Sequence, residues 1–180
     1  MALRYILEKE DPQLRKHSRA VTDFNPRLHT LLDDMRETLE HANGYGLAAP
    51  QVGVLRRVVI VLDNEKEDQP FSEQVIELIN PEIVSFEGEQ DGPEGCLSVP
   101  GVYGMVKRPM KVTIKAQNRN GQEFTMTREG ITARCFCHET EHLEGKLFTD
   151  IASRILTDEE LEEMAKKEEE EAKKEKEAKK

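Results

Sequence analysis

Apolar residues recur at helical spacing through Leu28, Leu31, Leu32, Met35 and Leu39, which predicts an amphipathic helix with one buried face. Asn25 can cap that helix. Pro26 suits its first position, where the missing N–H would have had no partner, and Asn43-Gly44 is a stop signal. The next stretch, Gly44-Tyr45-Gly46-Leu47-Ala48-Ala49-Pro50-Gln51, has glycines and a proline but little charge. It reads as a tight loop held near something that it approaches closely. The period then changes to two. Arg57 to Leu62 is a short β-branched run, and Val75 to Ile79 and Ile83 to Phe86 flank a break at Asn80-Pro81. Val112 to Ala116 and Phe124 to Met126 alternate, with Asn118-Arg119-Asn120-Gly121 as the hairpin turn between them. Asp63 to Ser72 is polar and predicts a surface loop. A second long helix is predicted from near Gly130 through His142. The pattern implies an α+β fold: mixed, mainly antiparallel strands packed around that second helix, with an N-terminal helix and a charged C-terminal helix. No internal repeat is visible.

Composition narrows the classes. With 180 residues a single globular domain is expected. Charged residues make up 34% and the mean hydropathy is −0.67, yet this polarity is uneven. Residues 158–180 hold 11 acidic and 7 basic side chains, a net −4 of the chain's −10. They are almost pure Glu, Lys and Ala, with Glu–Lys pairs four apart such as Glu162–Lys166 and Glu169–Lys173. This composition predicts a solvated helical tail (158–180) beside a less charged body (1–157). No apolar run approaches the roughly 18–20 residues of a membrane span, and the first 20 residues carry no secretory apolar region. The acidic balance argues against a generic or DNA-specific grip on nucleic acid. Three cysteines, two of them one residue apart at Cys135 and Cys137, argue for a reducing compartment and against a disulfide framework.

The sharpest chemical feature is His138-Glu139-Thr140-Glu141-His142, an HExxH pentad. Residues four apart on a helix share a face, so two imidazoles can hold one ion, and Glu139 can take a proton from a water which that ion polarises. A polar helix with two exposed histidines reads the same way, but the apolar neighbours Ile131, Ala133, Phe136 and Leu143 argue for burial. The extended zinc-protease pattern would need a histidine at 148, where the chain has Phe148. A better third ligand is Cys96 in Glu94-Gly95-Cys96-Leu97-Ser98, after the Gly-rich turn expected at Asp91-Gly92-Pro93. A thiolate and two imidazoles leave a fourth position open, as catalytic sites do. Cys135 shares the helix face of the histidines and suits the wall of a pocket. Cys137 points elsewhere.

Together, Gly44–Gln51, Glu94–Ser98 and His138–His142 resemble, in order and spacing, the three motifs of the peptide deformylase family, over about residues 4–155. The resemblance implies removal of the formyl group from N-formylmethionine at the start of new polypeptides. It implies metal ligands Cys96, His138 and His142 around one divalent ion, natively Fe2+, with Zn2+, Ni2+ or Co2+ able to substitute. It also implies Glu139 as general acid/base, Gln51 and the backbone N–H of Leu97 as oxyanion donors, and the backbone around Tyr45 and Gly46 pairing with the substrate as an added strand. Glu94, Gly95, Ile131, the stem of Arg134 and Cys135 would stand on the substrate side. The chain departs from the family pattern at Cys137 (usually glutamine), Glu141 (usually aspartate) and Tyr45 (commonly aliphatic). Implied partners are nascent N-formylmethionyl peptides and, through the C-terminal helix, the ribosome. A monomer is expected, acting in the bacterial cytoplasm, with an organellar home as the alternative. An endopeptidase, or a binding module with a structural metal, would share the pentad but not the whole set.

Overall fold

The computed structural model describes residues 2–178. Helix α1 (Pro26–Ala42) starts where Asn25 Oδ1 accepts from the N–H groups of Arg27 and Leu28 at 3.0 and 3.1 Å, and it stops at Asn43, which is left-handed with φ 51°. The expected tight loop after it is partly a strand. β1 (Gly46–Ala48) runs antiparallel to β2 (Val58–Leu62) and passes into a 3-10 turn over Ala49–Val52. The polar stretch that follows holds a 3-10 turn at Asn64–Lys66 and leads to the short helix α2 (Phe71–Gln74).

The break expected at Asn80-Pro81 does not interrupt the next strand, β3 (Val75–Glu87). The strand absorbs it as a register irregularity between Ile79 and Glu82, with Asn80 at φ 51°. The Asn80 side chain supports that bend by bonding Val21 N, Val21 O and Gln117 Oε1. Two strands absent from the sequence reading follow, β4 (Gln90–Cys96) and β5 (Val99–Arg108). The supposed turn at Asp91-Gly92-Pro93 lies inside β4, paired with Lys107, Val106 and Met105. Its glycines and proline suppress strand propensity, and β4 tolerates Pro93 because it is an edge strand. Strands β6 (Lys111–Gln117) and β7 (Glu123–Glu129) form the expected hairpin. Helix α3 (Gly130–Leu143), the two-residue strand β8 (Arg154–Ile155) and helix α4 (Asp158–Ala178) complete the chain.

The strands make two sheets, ordered β1-β2-β3-β6-β7 and β4-β5-β8. The larger is buried on both faces at β2. Val58 and Ile60 of β2 join Leu28, Leu32, Met35 and Leu39 of α1 on one face. Val59 and Val61 join Ala133, Phe136 and Leu143 of α3 on the other. A strand covered on both sides reads as an unbroken apolar run, which explains Val58–Leu62. The smaller sheet has a modest core of Val99, Val106, Leu147 and Phe148.

Helix α4 is largely exposed, tied at its start by Arg154–Glu160 and by the Thr157 and Glu160 capping bonds. Of the three lysine pairs in the tail, Lys166-Lys167 and Lys173-Lys174 lie on α4, and Lys179-Lys180 lies outside the described residues. No helix among the described residues is long and apolar enough to cross a membrane.

Candidate metal centre and active site

Helix α3 buries its apolar residues against the five-stranded sheet, and that packing carries His138, Glu139 and His142 into the interior. Cys96 arrives from the other sheet, where β4 ends in the tight connection to β5 and pairs with Val99. The ligand atoms of Cys96, His138 and His142 all lie within 4.8 Å of one another. Cys96 Sγ stands 3.3 Å from His142 Nε2. Tetrahedral zinc ligands at ordinary bond lengths sit about 3.3–3.6 Å apart, so the donor set suits a small divalent cation. Cys135 is not part of this group among the described residues. It sits in the core beside the large sheet, and burial pushes its thiol well up. Burial also pushes the Cys137 thiol up, to about 11.

The groups around the triad are strongly oriented. His138 Nδ1 lies 2.5 Å from Glu94 Oε1, a contact that fixes the imidazole and leaves its other nitrogen for an ion. Burial alone would raise the Glu94 carboxyl. Bonds from Arg108 and His138 outweigh it and hold the group at about 2. Burial and the neighbouring His138 keep His142 well below the usual imidazole range, hence neutral and able to ligate. Beside them, Glu139 Oε2 is buried without a partner among the described residues, and burial pushes this carboxyl up to about 7 despite the pull of His138. An orphaned carboxylate oxygen next to three convergent ligands is an expensive arrangement unless chemistry uses it.

Gln51 is fixed by its own loop. Ala48 N donates to Gln51 Oε1 at 2.9 Å, so the amide NH2 faces Ser98 Oγ at 3.1 Å and Cys96 Sγ at 3.5 Å. Gly46 lies against Glu139: a Cβ there would stand 2.6 Å from Glu139 Oε1. Only glycine allows this approach. Leu97 follows Cys96 directly and packs beside Gly44. Tyr45 and Ile131 expose 62% and 38% of their surface. Gly95 lies under the Tyr103 ring, where a Cβ would meet Cε1 at 2.6 Å.

Of the residues expected on the substrate side, Glu94 and Arg134 meet each other. Both are buried, and Arg134 Nη1 donates to Glu94 Oε2 at 2.9 Å and to Val106 O at 3.0 Å. Arg108 and Glu141 belong to the same cluster, and neither the strand carrying Arg108 nor its contact to Glu94 could be read from the chain. A buried carboxylate beside a ligating histidine calls for cations, but nothing local says which arginines supply them.

Three comparisons bear on this geometry. The family model described as polypeptide deformylase matches residues 3–157. The peptide deformylase of Caldicellulosiruptor bescii is 52% identical over 163 residues, covering 91% of this chain and 93% of that protein. Peptide deformylase 2 of Clostridium acetobutylicum is 48% identical over 157 residues, covering 87% of this chain and 99% of that protein. The crystal structure of a peptide deformylase from Legionella pneumophila superposes with a TM-score of 0.77 at 42% identity, covering 96% of each chain.

Proposed function

Since the chain belongs to the polypeptide deformylase family, whose members remove N-formyl groups from nascent peptides, we propose that it is a metal-dependent hydrolase cleaving N-formylmethionyl termini and releasing formate. The observation that carries this reading is the meeting of the Cys96 sulfur and two ring nitrogens beside the unpartnered Glu139 carboxylate. Cys96, His138 and His142 would hold one divalent ion. Thiolate with imidazole suits iron, zinc, cobalt or nickel, with Fe2+ as the native ion. When bound, such an ion would supply Lewis acidity toward the formyl carbonyl and the attacking water.

The chain's own groups do the rest. Glu139 takes a proton from the water whose oxygen bonds to the formyl carbon. As the C–N bond breaks, Glu139 passes that proton to the leaving amine, and formate and a free N-terminus result. Its raised carboxyl suits both halves of that exchange. The Gln51 NH2, already aimed by Ala48, and the Leu97 N–H stabilise the oxyanion. Gly46 and its neighbour Tyr45 offer backbone to the peptide as an added strand, with Gly95 on the facing edge. Ile131 flanks the methionine side chain, and the buried Cys135 backs the pocket wall from the core.

The catalytic unit is 1–157, a monomer working in the cytoplasm where formylated chains emerge. Residues 158–180 form an appendage that meets the ribosome through its lysine pairs. Anaerobic purification with metal analysis, followed by formate release from formyl-Met peptides, tests the central reading. Cleavage of an internal peptide bond in place of formate release points to an endopeptidase. Ribosome cosedimentation unchanged on deleting 158–180 removes the role of the tail.

A further inference from the structure

The three ligands come from two pieces that share no sheet. Cys96 ends β4 of the three-stranded sheet, and both histidines ride on α3, which packs against the five-stranded one. Something other than backbone pairing must keep the pieces at ligand distance. Part of it is apolar: the Phe148 ring, from the core of the smaller sheet, stacks on His138 at 6.0 Å. Another part is a cluster of four charged side chains, two from each piece. Arg134 and Glu141 belong to α3, Glu94 to β4 and Arg108 to β5.

Their pairs cross the gap in both directions. Arg134 Nη1 donates to Glu94 Oε2 at 2.9 Å, and Arg108 Nη1 donates to Glu141 Oε1 at 2.6 Å. Within the hairpin, Arg108 forks onto Glu94 through Nε at 2.9 Å and Nη2 at 2.7 Å. Counting His138 Nδ1, both Glu94 oxygens are doubly engaged, which fills the acceptor capacity of a carboxylate. Arg134 also reaches the β5 backbone at Val106 O. Two arginines and two glutamates sum to zero charge. Three of the four are buried, and Glu141 is 28% exposed. A buried neutral cluster with every charge paired resists rearrangement, because breaking one pair strands the other partner.

Resting on the metal reading above, we propose that Arg134 and Glu141 are positioning residues. Their crossed pairs rivet α3 to the β4–β5 hairpin and hold the Cys96/His138/His142 gap at ligand distance before a cation arrives. A cradle that must be assembled on binding loses affinity to the ordering it requires, and a preassembled one does not. Glutamate at 141, one methylene longer than the aspartate usual in this family, spans from α3 to the Arg108 guanidinium.

The test uses the full chain and Co2+ as the probe. Removing one charge would change the field as well as the contact. The chosen variant is therefore the double substitution Arg134→Met/Glu141→Gln, which leaves Glu94 and Arg108 as a neutral pair. Chelator competition is expected to show Co2+ affinity lowered about tenfold, the low end for lost outer-shell contacts. Hydrogen exchange in the metal-free variant should quicken across 96–108 and return toward wild type when Co2+ is added. Affinity within twofold of wild type, with unchanged exchange in the metal-free hairpin, overturns the proposal. If the double variant does not fold, Glu141→Gln alone is read by hairpin exchange, faster supporting and unchanged overturning. Wild-type protein that takes up no Co2+ defeats the metal reading itself, an outcome separate from equivalence of variant and wild type.

Discussion

The two sheets are built on different physics. The five-stranded sheet is held between α1 and α3 by aliphatic side chains on both faces. The β4–β5 hairpin has a few apolar contacts and is fastened by buried guanidinium–carboxylate pairs. The first kind of packing is tolerant in direction, and its strength grows with buried area. The second depends on each donor meeting its acceptor, and a single lost partner is costly. The site lies across the seam, with its base and both imidazoles on the greasy side and its sulfur on the charged side. Two ligands are thereby placed by apolar packing, and the third comes from the part fastened by charge pairs.

That contrast can be broken or sharpened by substitution. The largest effect belongs at the seam. Glu139→Gln should keep the ion and lower kcat for formate release by about 10²–10⁴-fold, the usual share of a positioned acid/base; metal analysis beside steady-state kinetics checks both halves. Phe136→Ala strikes the apolar side only. It should destabilise the fold by about 3–5 kcal/mol in denaturant titrations, as emptied aromatic sites do. Gln51→Ala should leave stability nearly unchanged and reduce kcat by about 10²–10³-fold, the typical loss for one oxyanion donor. An unchanged kcat would remove Gln51 from the chemistry.

A smaller effect tests charge pairing inside the large sheet's own rim. Asp63 is buried, and Arg128 grips it through Nε and Nη2, both at 2.8 Å. That bond holds its carboxyl below the ordinary range. A depressed carboxyl stabilises the fold above the unfolded pKa of about 4 and stops doing so as pH falls through the folded value. Asp63→Asn should therefore lower stability by about 2 kcal/mol at neutral pH. The gap to wild type should close only below about pH 4, as followed by thermal unfolding across pH. The smallest expected change comes from deleting 158–180, within about 0.5 kcal/mol, because an exposed helix contributes little to a core.

The same contrast explains how far sequence reasoning reached. Helix α1 announced both its ends through Asn25, Pro26 and Asn43, and β2 announced itself as a strand through its β-branched run, while its burial on both faces emerged only from the fold. The pentad and Cys96 were recognisable because ligand chemistry restricts residue type. The β4–β5 hairpin was not, since Gly92, Pro93, Gly95, Gly101 and Gly104 erase any alternation and its pairing comes from the partner strand. Arg108 was missed, and the pairing of Arg134 with Glu94 was not foreseen, for a related reason. Charged residues are mostly solvated, and only a tertiary neighbour reveals one that is not. The bend at Asn80 read as a break because the side-chain bonds that carry β3 through it come from residues 59 and 37 positions away.

Helix α4 spans Asp158–Ala178, and 21 residues rising 1.5 Å each extend about 31 Å. A rod of that length on a body this small dominates how the molecule tumbles. Its hydrodynamic radius and maximum scattering dimension should exceed those of a sphere of equal mass, and both should contract once the rod is cut away.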